Sequence, residues 1–453
     1  MSAMKRALIA LFLTAAMMLA ACGSNQQTTQ PTAAPAEQPT TAPAAQPTTA
    51  PAEQPTTAPA AQPTTAPAAQ PTTAPTAQQV TIRIWHQWDG AYLTAIEQAF
   101  RDYEASHPNV KIDLSKPEDV SNALNVAIPS GEGPDIIGWA NDQIGQQALV
   151  GNIVALNDYG ITEDFLRSTY EPAAVNGVVW QGKIWALPET QEGIALIYNK
   201  AVIGDMKLPA TLDELLQMAK DFRAANPDKT LVCNQGFGGN DAYHVAPIYF
   251  GYGVPSYVDD EGNVYVNTPE MIKGGEWLAE MSKVSFSEQS YDICKAALAE
   301  GKAAMWWTGP WAIAGIEQDG VDYGILPLGK PFVGIKTLML TRNAVERGNA
   351  EVALDIMKYF TSAEVQAKLA LTNKTVPAAT AALKNPEVAA LPTLAGFGAA
   401  LNQGVPMANT PYASAQWGPV GEASVAIWTG AQTPAEALAA AQKAIEDAIK
   451  QMK

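Results

Sequence analysis

The sequence predicts an α/β fold, with helices on both faces of a parallel sheet. Two observations carry this. From Val80 to Gly138, β-branched runs alternate with stretches of helical spacing, in the order strand, helix, strand, helix, strand. Residues 79–453 are also long enough to fill two lobes with cores of their own.

The elements follow in order. Val80–Trp85 alternates as a strand, and Ala91–Ser106 places Leu93, Ile96, Phe100 and Tyr103 on one helical face. Val110–Leu114 is a second strand after Pro108-Asn109, Ala123–Ile128 belongs to a helix, and Asp135–Gly138 is the third strand, after the turn Gly131–Pro134. Gln143–Val150 and Glu163–Asn176 read as helices, and Gly177–Leu187 as a hairpin turning at Gln181-Gly182. Ala195–Asn199 is a buried strand. Thr211–Asn226 is an amphipathic helix, capped by Thr211 with Glu214 three residues on. Thr230–Cys233 is a strand, Thr268–Ser282 a helix, and Ser287–Glu300 a polar turn that becomes helical. Ala303–Trp307 is a short strand that points Trp306 and Trp307 to opposite faces, one of them into a core. Gly309-Pro310 starts a helix at Trp311. Tyr323–Pro327 and Gly334–Leu340 are strands; Glu351–Ser362, Ala363–Leu371 and Thr433–Met452 are helices.

Two segments precede the folded part. Met1–Ala21 has a basic start at Lys5 and Arg6, an apolar run Ala7–Leu19 too short to span a bilayer comfortably, and small residues before Cys22. Leu19-Ala20-Ala21-Cys22 resembles a bacterial lipobox, which implies cleavage before Cys22 and lipid on its thiol. Residues 22–79 are almost entirely Gln, Pro, Thr and Ala, with proline at every fourth position from Pro31 to Pro75. Such a composition cannot fill a core and reads as a disordered tether. As stiff polyproline II it would reach on the order of 150 Å. Beyond Cys22 the chain has only Cys233 and Cys294, which either pair or stay buried as small apolar residues.

The 45 acidic against 28 basic residues give a net charge of −17. That argues against nucleic acid and against direct adhesion to anionic lipid, and suits a neutral ligand or a cation. Three histidines, His86, His107 and His244, make a metal site unexpected, and no cofactor motif is present. Eleven tryptophans are many for one such chain, and a binding site accounts for part of them. Trp139 and Asp142 follow the apolar strand Asp135–Gly138 at its carboxyl end, where open α/β sheets bind ligands. An indole face beside an acceptor suits a sugar, which offers C–H groups on one side and hydroxyls round its edge. Trp311 and Trp417 repeat the pairing of tryptophan with polar neighbours.

Several stretches together resemble a known family. They are Gly133–Ile137 with Trp139, Ala140 and Asp142; Tyr198-Asn199-Lys200; Ala304-Met305 with Gly309–Ala312; Lys330–Gly334; and Ser414-Ala415 with Trp417. In this order they are similar to the extracellular solute-binding proteins of ABC importers, most of all the maltose/maltodextrin-binding family. The resemblance implies a two-lobed periplasmic-binding-protein fold, with discontinuous lobes joined by a multi-strand hinge. One lobe would be 80–190 with 334–380, the other 191–333 with 381–453. It also implies that Asp142 and Glu192 accept bonds from sugar hydroxyls, that Trp139 borders the ring, and that Tyr243, Trp311 and Trp417 stack on it. Asp241 and Tyr291 are further candidates, and Glu189 and Gln191 are less marked. Trp88 and Asp89 face the cleft mouth, where the family's lysine is not evident. Gln143 and Gly421 stand where a relative has arginine, which loosens the identity of the sugar.

The reading that follows is a lipid-anchored protein that captures an oligosaccharide and delivers it to ABC permease subunits, with a monomer expected. The rival from another class is a tethered glycoside hydrolase, which needs two carboxyls at a set separation. Within the binders the rival is a different sugar or solute.

Overall fold

The structure is a computed structural model and describes residues 79–118 and 120–453. The leader, Cys22 and the proline-rich tether lie outside the described residues. Among the described residues no helix is long and apolar enough to cross a membrane.

Strand β1 (Val80–His86) buries Ile82 and Ile84 and turns Thr81 and Arg83 outward. Asp89 caps α1 (Gly90–Ser106), its carboxylate accepting from the Gly90 amide at 2.8 Å. Strands β2 (Val110–Ser115) and β3 (Ile136–Ala140) lie parallel on either side of β1. The expected helix at Glu163–Asn176 is two, Glu163–Thr169 and Pro172–Val178. Pro172 lacks the amide that would continue the first and instead opens the second. The hairpin turns at Gln181 and Gly182, both with positive φ, the geometry of a tight two-residue β-turn.

Strand β4 (Leu187–Glu192) joins the first sheet; β5 (Ala195–Asn199) opens a second. Thr211 caps α2 (Leu212–Ala225), while Glu214 reaches back to the Ala210 amide. β6 (Thr230–Cys233) follows, then α3 (Ala242–Gly251) and α4 (Tyr291–Ala299). Strands β7 (Ala303–Thr308) and β8 (Tyr323–Leu326) complete the second sheet, whose order is β8-β5-β7-β6. Strand β9 (Phe332–Leu340) returns to the first sheet, running antiparallel to β3 and β4. β10 (Val376–Pro377) pairs with β4, and β11 (Val405–Pro406) with the start of β9. The first sheet therefore has seven strands, in the order β10-β4-β9-β3-β1-β2 with β11 beside β9. Both sheets are mixed rather than parallel, because the chain leaves the first sheet at Gly193 and re-enters it in the reverse sense. Helix α5 (Trp417–Trp428) and α6 (Pro434–Met452) end the chain, α6 behind a reciprocal capping box of Thr433 and Glu436.

Each sheet has its own core. Ile82, Ile84, Ile137 and Leu338–Leu340 anchor the first; Leu196, Leu231, Trp307 and Tyr249 anchor the second. Trp306 and Trp307 point to opposite faces of β7, as expected, and both are fully buried, because helices cover both faces of the second sheet. Ala382 and Val388 still pack in the first core and Phe397 joins the second sheet. Ala382 and Val388 lie in the short helices Thr380–Leu383 and Pro386–Ala389. Cys233 and Cys294 form a disulfide that ties β6 to α4.

Candidate functional site

The carboxyl ends of β1, β3 and β4 and the amino-terminal half of β9 face the second lobe across a cavity of about 1040 Å³. The structure brings all ten sequence-derived candidates, Trp139, Asp142, Glu192, Tyr243, Trp311, Trp417, Trp88, Asp89, Asp241 and Tyr291, onto this one cavity. They do not all stand in the same relation to it.

Asp142 lies in the one-turn helix Asn141–Gln143 just past β3, and only 6 % of its surface is exposed. One carboxylate oxygen accepts from the indole N–H of Trp417 at 2.9 Å and from the Gln143 amide at 3.1 Å. The other is buried without a partner in the chain. Burial pushes the Asp142 carboxyl up to about 6, against the pull of these bonds and of Lys336. Glu192, at the end of β4, is also buried, and burial raises it too. Lys336 stands 3.5 Å from one of its oxygens, and the other has no partner. Buried acceptors of this kind are costly unless something donates to them.

The second lobe supplies ring faces. Tyr243 lies in the first turn of α3, stacked on Phe332 at 6.0 Å with ring planes 10° apart. Trp311 sits in the one-turn helix Pro310–Ala312, 6.4 Å from the Tyr243 ring. Trp417 is the first residue of α5 and meets Phe332 edge-on at 5.5 Å. Trp139 borders the cavity from β3, with Thr337 bonded to its carbonyl.

Trp88 departs from the expectation that it faces the cleft mouth. It is 2 % exposed, stacked on His86 and packed against Phe100 and Phe360, so only an edge reaches the cavity. Gly138 makes this possible: a Cβ there would stand 3.0 Å from the Trp88 ring. Asp241 is largely committed to its own neighbours. It caps α3 through the Tyr243 and His244 amides and lies 2.8 Å from the His244 ring nitrogen. Burial alone would raise Asp241, but His244 and the cap bonds hold it down at about 2. Asp89 is exposed, paired with Lys116 and capping α1. Tyr291 opens α4 and packs edge-on against Trp306 at 5.0 Å.

Two groups were missed or underweighted. A cation does reach the cavity, not from the loop after β1 but from the middle of β9: Lys336. Beside Glu192, it also meets Gln87 once the Gln87 amide is oriented oxygen-inward. The signal was a lone charged residue in the strand Phe332–Leu340. Glu189 is buried behind the cavity wall, bonded to Tyr92 and Trp88. Among the described residues no group of three or more His, Cys, Asp or Glu side chains could hold a metal ion.

Known proteins agree with this architecture. Residues 98–396 match the bacterial extracellular solute-binding protein family. A maltotriose-binding protein of Pyrococcus abyssi is 30% identical over 350 residues, covering 74% of this chain and 75% of that protein. A galactooligosaccharide-binding protein of Bacillus subtilis is 24% identical, covering 78% and 86%. In fold, the chain is similar to a maltose/maltodextrin-binding domain from Bdellovibrio bacteriovorus bound to maltotriose. The TM-score is 0.75 at 24% identity, over 82% of this chain and 100% of that one. A maltotriose-binding protein of Thermus thermophilus gives 0.72 at 21%, over 81% and 100%. The two-lobed frame, the cavity between its lobes and these relatives lead to one conclusion: the chain belongs to the bacterial extracellular solute-binding proteins, which work outside the cytoplasm and are binders rather than enzymes.

Proposed function

We propose that this protein captures a neutral oligosaccharide of the maltodextrin type between its lobes and passes it to the permease subunits of an ABC importer. One observation carries the reading: buried carboxylate oxygens without partners, on Asp142 and Glu192, share a cavity with the rings of Tyr243, Trp311 and Trp417. Sugar hydroxyls donate to the oxygens while the C–H face of each ring lies on an aromatic plane, burying apolar area at roughly 25 cal/mol per Å². Each lobe supplies one half of these contacts, so the sugar favours the closed arrangement over an open one. The names of the relatives support an α-glucan, and the galactooligosaccharide-binding relative is the reason to test β-linked sugars beside it. Lipid on Cys22 would hold the protein at the membrane outer face, the tether would give it reach, and a monomer suffices for capture. The lobes would be 80–190 with 334–380, and 191–333 with 381–453, except that Gln191 and Glu192 complete β4 of the first sheet.

Raised carboxyls in a cleft also suit a hydrolase. The family assignment favours binding, so incubation with labelled maltotetraose should give back intact sugar. Calorimetry against maltodextrins, cyclodextrins, trehalose, galacto- and xylo-oligosaccharides tests the ligand class. The expected outcome is one-to-one binding of a maltodextrin with compaction in solution scattering; binding of none of the panel would overturn the proposal.

A further inference from the structure

Glu189 is a carboxyl that no sugar contact explains. It lies on β4, between β10 and β9, and is 1 % exposed. Its two oxygens are each used: one accepts from the Tyr92 hydroxyl at 3.0 Å, the other from the Trp88 indole N–H at 3.3 Å. Trp88 and Tyr92 bracket the cap and first turn of α1, and both line the cavity. The Trp88 ring otherwise packs against His86, Phe100 and Phe360. Tyr92 is tied again through its carbonyl, which accepts from Asn373. The Glu189 carboxylate is therefore the polar group on the strand leading into the second lobe that Trp88 and Tyr92 share, with Thr190 of the same strand also reaching the Tyr92 hydroxyl.

We propose that Glu189 is a positioning residue for ligand capture: its carboxylate docks Trp88 and Tyr92 onto β4, and taking up a proton there loosens that corner of the cavity. Two donors aimed at two oxygens suit an ionised group. A protonated carboxyl turns one oxygen into a donor, which then faces an N–H or O–H. The titratable and charged groups around Glu189 are Tyr92 on α1, Glu192 on β4 and Lys336 on β9, with His86 on β1 behind the Trp88 ring. Burial and the Glu192 charge oppose ionisation, Lys336 and the two bonds favour it, and the balance leaves Glu189 at about 7. The switch thus falls in the neutral range.

The signs separate this role from a merely structural one. The carboxyl stands above its ordinary value in the fold, so ionising it costs stability, and that cost grows as pH rises through about 7. Ligand affinity runs the other way, because the ionised form is the one that docks the wall. Affinity that merely followed stability would fall as pH rises.

The test has two arms. The second rests on the sugar-binding reading; the first does not. In the first, the Trp88 indole N–H resonance of the ligand-free protein, assigned by its loss in Trp88→Phe, is followed by NMR from about pH 6 to about pH 8. It should move with a midpoint near 7 in the wild type and stay still in Glu189→Gln. Tyr92→Phe removes one donor to the carboxylate and should shift that midpoint upward. In the second, maltotriose affinity should rise roughly fivefold across this range in the wild type, the scale of one hydrogen bond. In Glu189→Gln it should be weak and should lose the rise centred near 7, keeping only the fall toward pH 6 that belongs to Asp142, while the variant melts no lower than wild type at pH 8. A wild-type indole resonance indifferent to pH would overturn the docking role, as would a Glu189→Gln variant with unchanged affinity and pH profile. A wild type that binds no sugar at any pH would sink the sugar reading instead, and the first arm alone would then decide the role of Glu189.

Discussion

The two walls of the cavity differ in their main material, although Trp139 also borders it from the first lobe and Asp241 from the second. The first lobe offers charge: Asp142 and Glu192, with Lys336 between them and Glu189 behind. Glu189, Glu192 and Lys336 sit on strands of a hydrogen-bonded sheet, and Asp142 in the one-turn helix just beyond one of them. The second lobe offers aromatic planes, Tyr243, Trp311 and Trp417, each at or near the start of a helical turn. A carboxylate acceptor works only within a narrow distance and angle, so it belongs on the rigid sheet. A stacking ring tolerates sliding, so it can ride on the more adjustable helix starts. Orientation then comes from one lobe and grip from the other.

The contrast can be broken at four points. The largest effect should come from Cys233→Ala with Cys294→Ala. This pair closes a 61-residue separation in the second lobe only, and its loss should lower stability by about 4 kcal/mol in chemical denaturation. Lys336→Met should cost about 3 kcal/mol, because it leaves buried carboxylates without their cation. The sign with pH is definite. Without Lys336 the folded-state values of Asp142, Glu189 and Glu192 rise further above the usual carboxylate range. The loss in melting temperature should therefore be greater at about pH 8 than at about pH 5. Trp311→Ala should weaken sugar binding by about 2 kcal/mol in calorimetry and leave the pH profile unchanged. Asp142→Asn should have the smallest effect, about 1 kcal/mol, and should abolish the loss of affinity as pH falls through about 6. If instead the tryptophan variant flattened the pH profile, the division of labour between the walls would be wrong.

Much of this was legible in the chain. Caps and turns announce themselves through local chemistry, so Thr211, Thr433 and Gln181-Gly182 fall where the sequence puts them. The strand Ala195–Asn199 reads from its unbroken apolar run. The helix opened by Trp417 was hidden, because Gly418, Pro419 and Gly421 dilute its periodicity. The burial of Trp88 was hidden too. It depends on Gly138, a residue far along the chain, leaving room for the ring. Lys336 was passed over because a lysine in a strand is ordinarily read as an outward-facing residue, and nothing local says that its face borders a cavity. The antiparallel return of β9 was invisible for the same reason: strand direction is decided by where the chain has already been.

Strand β9 has one more bearing on how the molecule can move. Phe332, at its start, packs in the second core, and Leu338–Leu340, at its end, pack in the first. Its pairing with β4 slips between Lys336 and Thr337, so the ladder is weakest at its waist. Lys336 stands beside that slip, so whatever the cavity holds against this lysine is held where β9 passes from one core to the other.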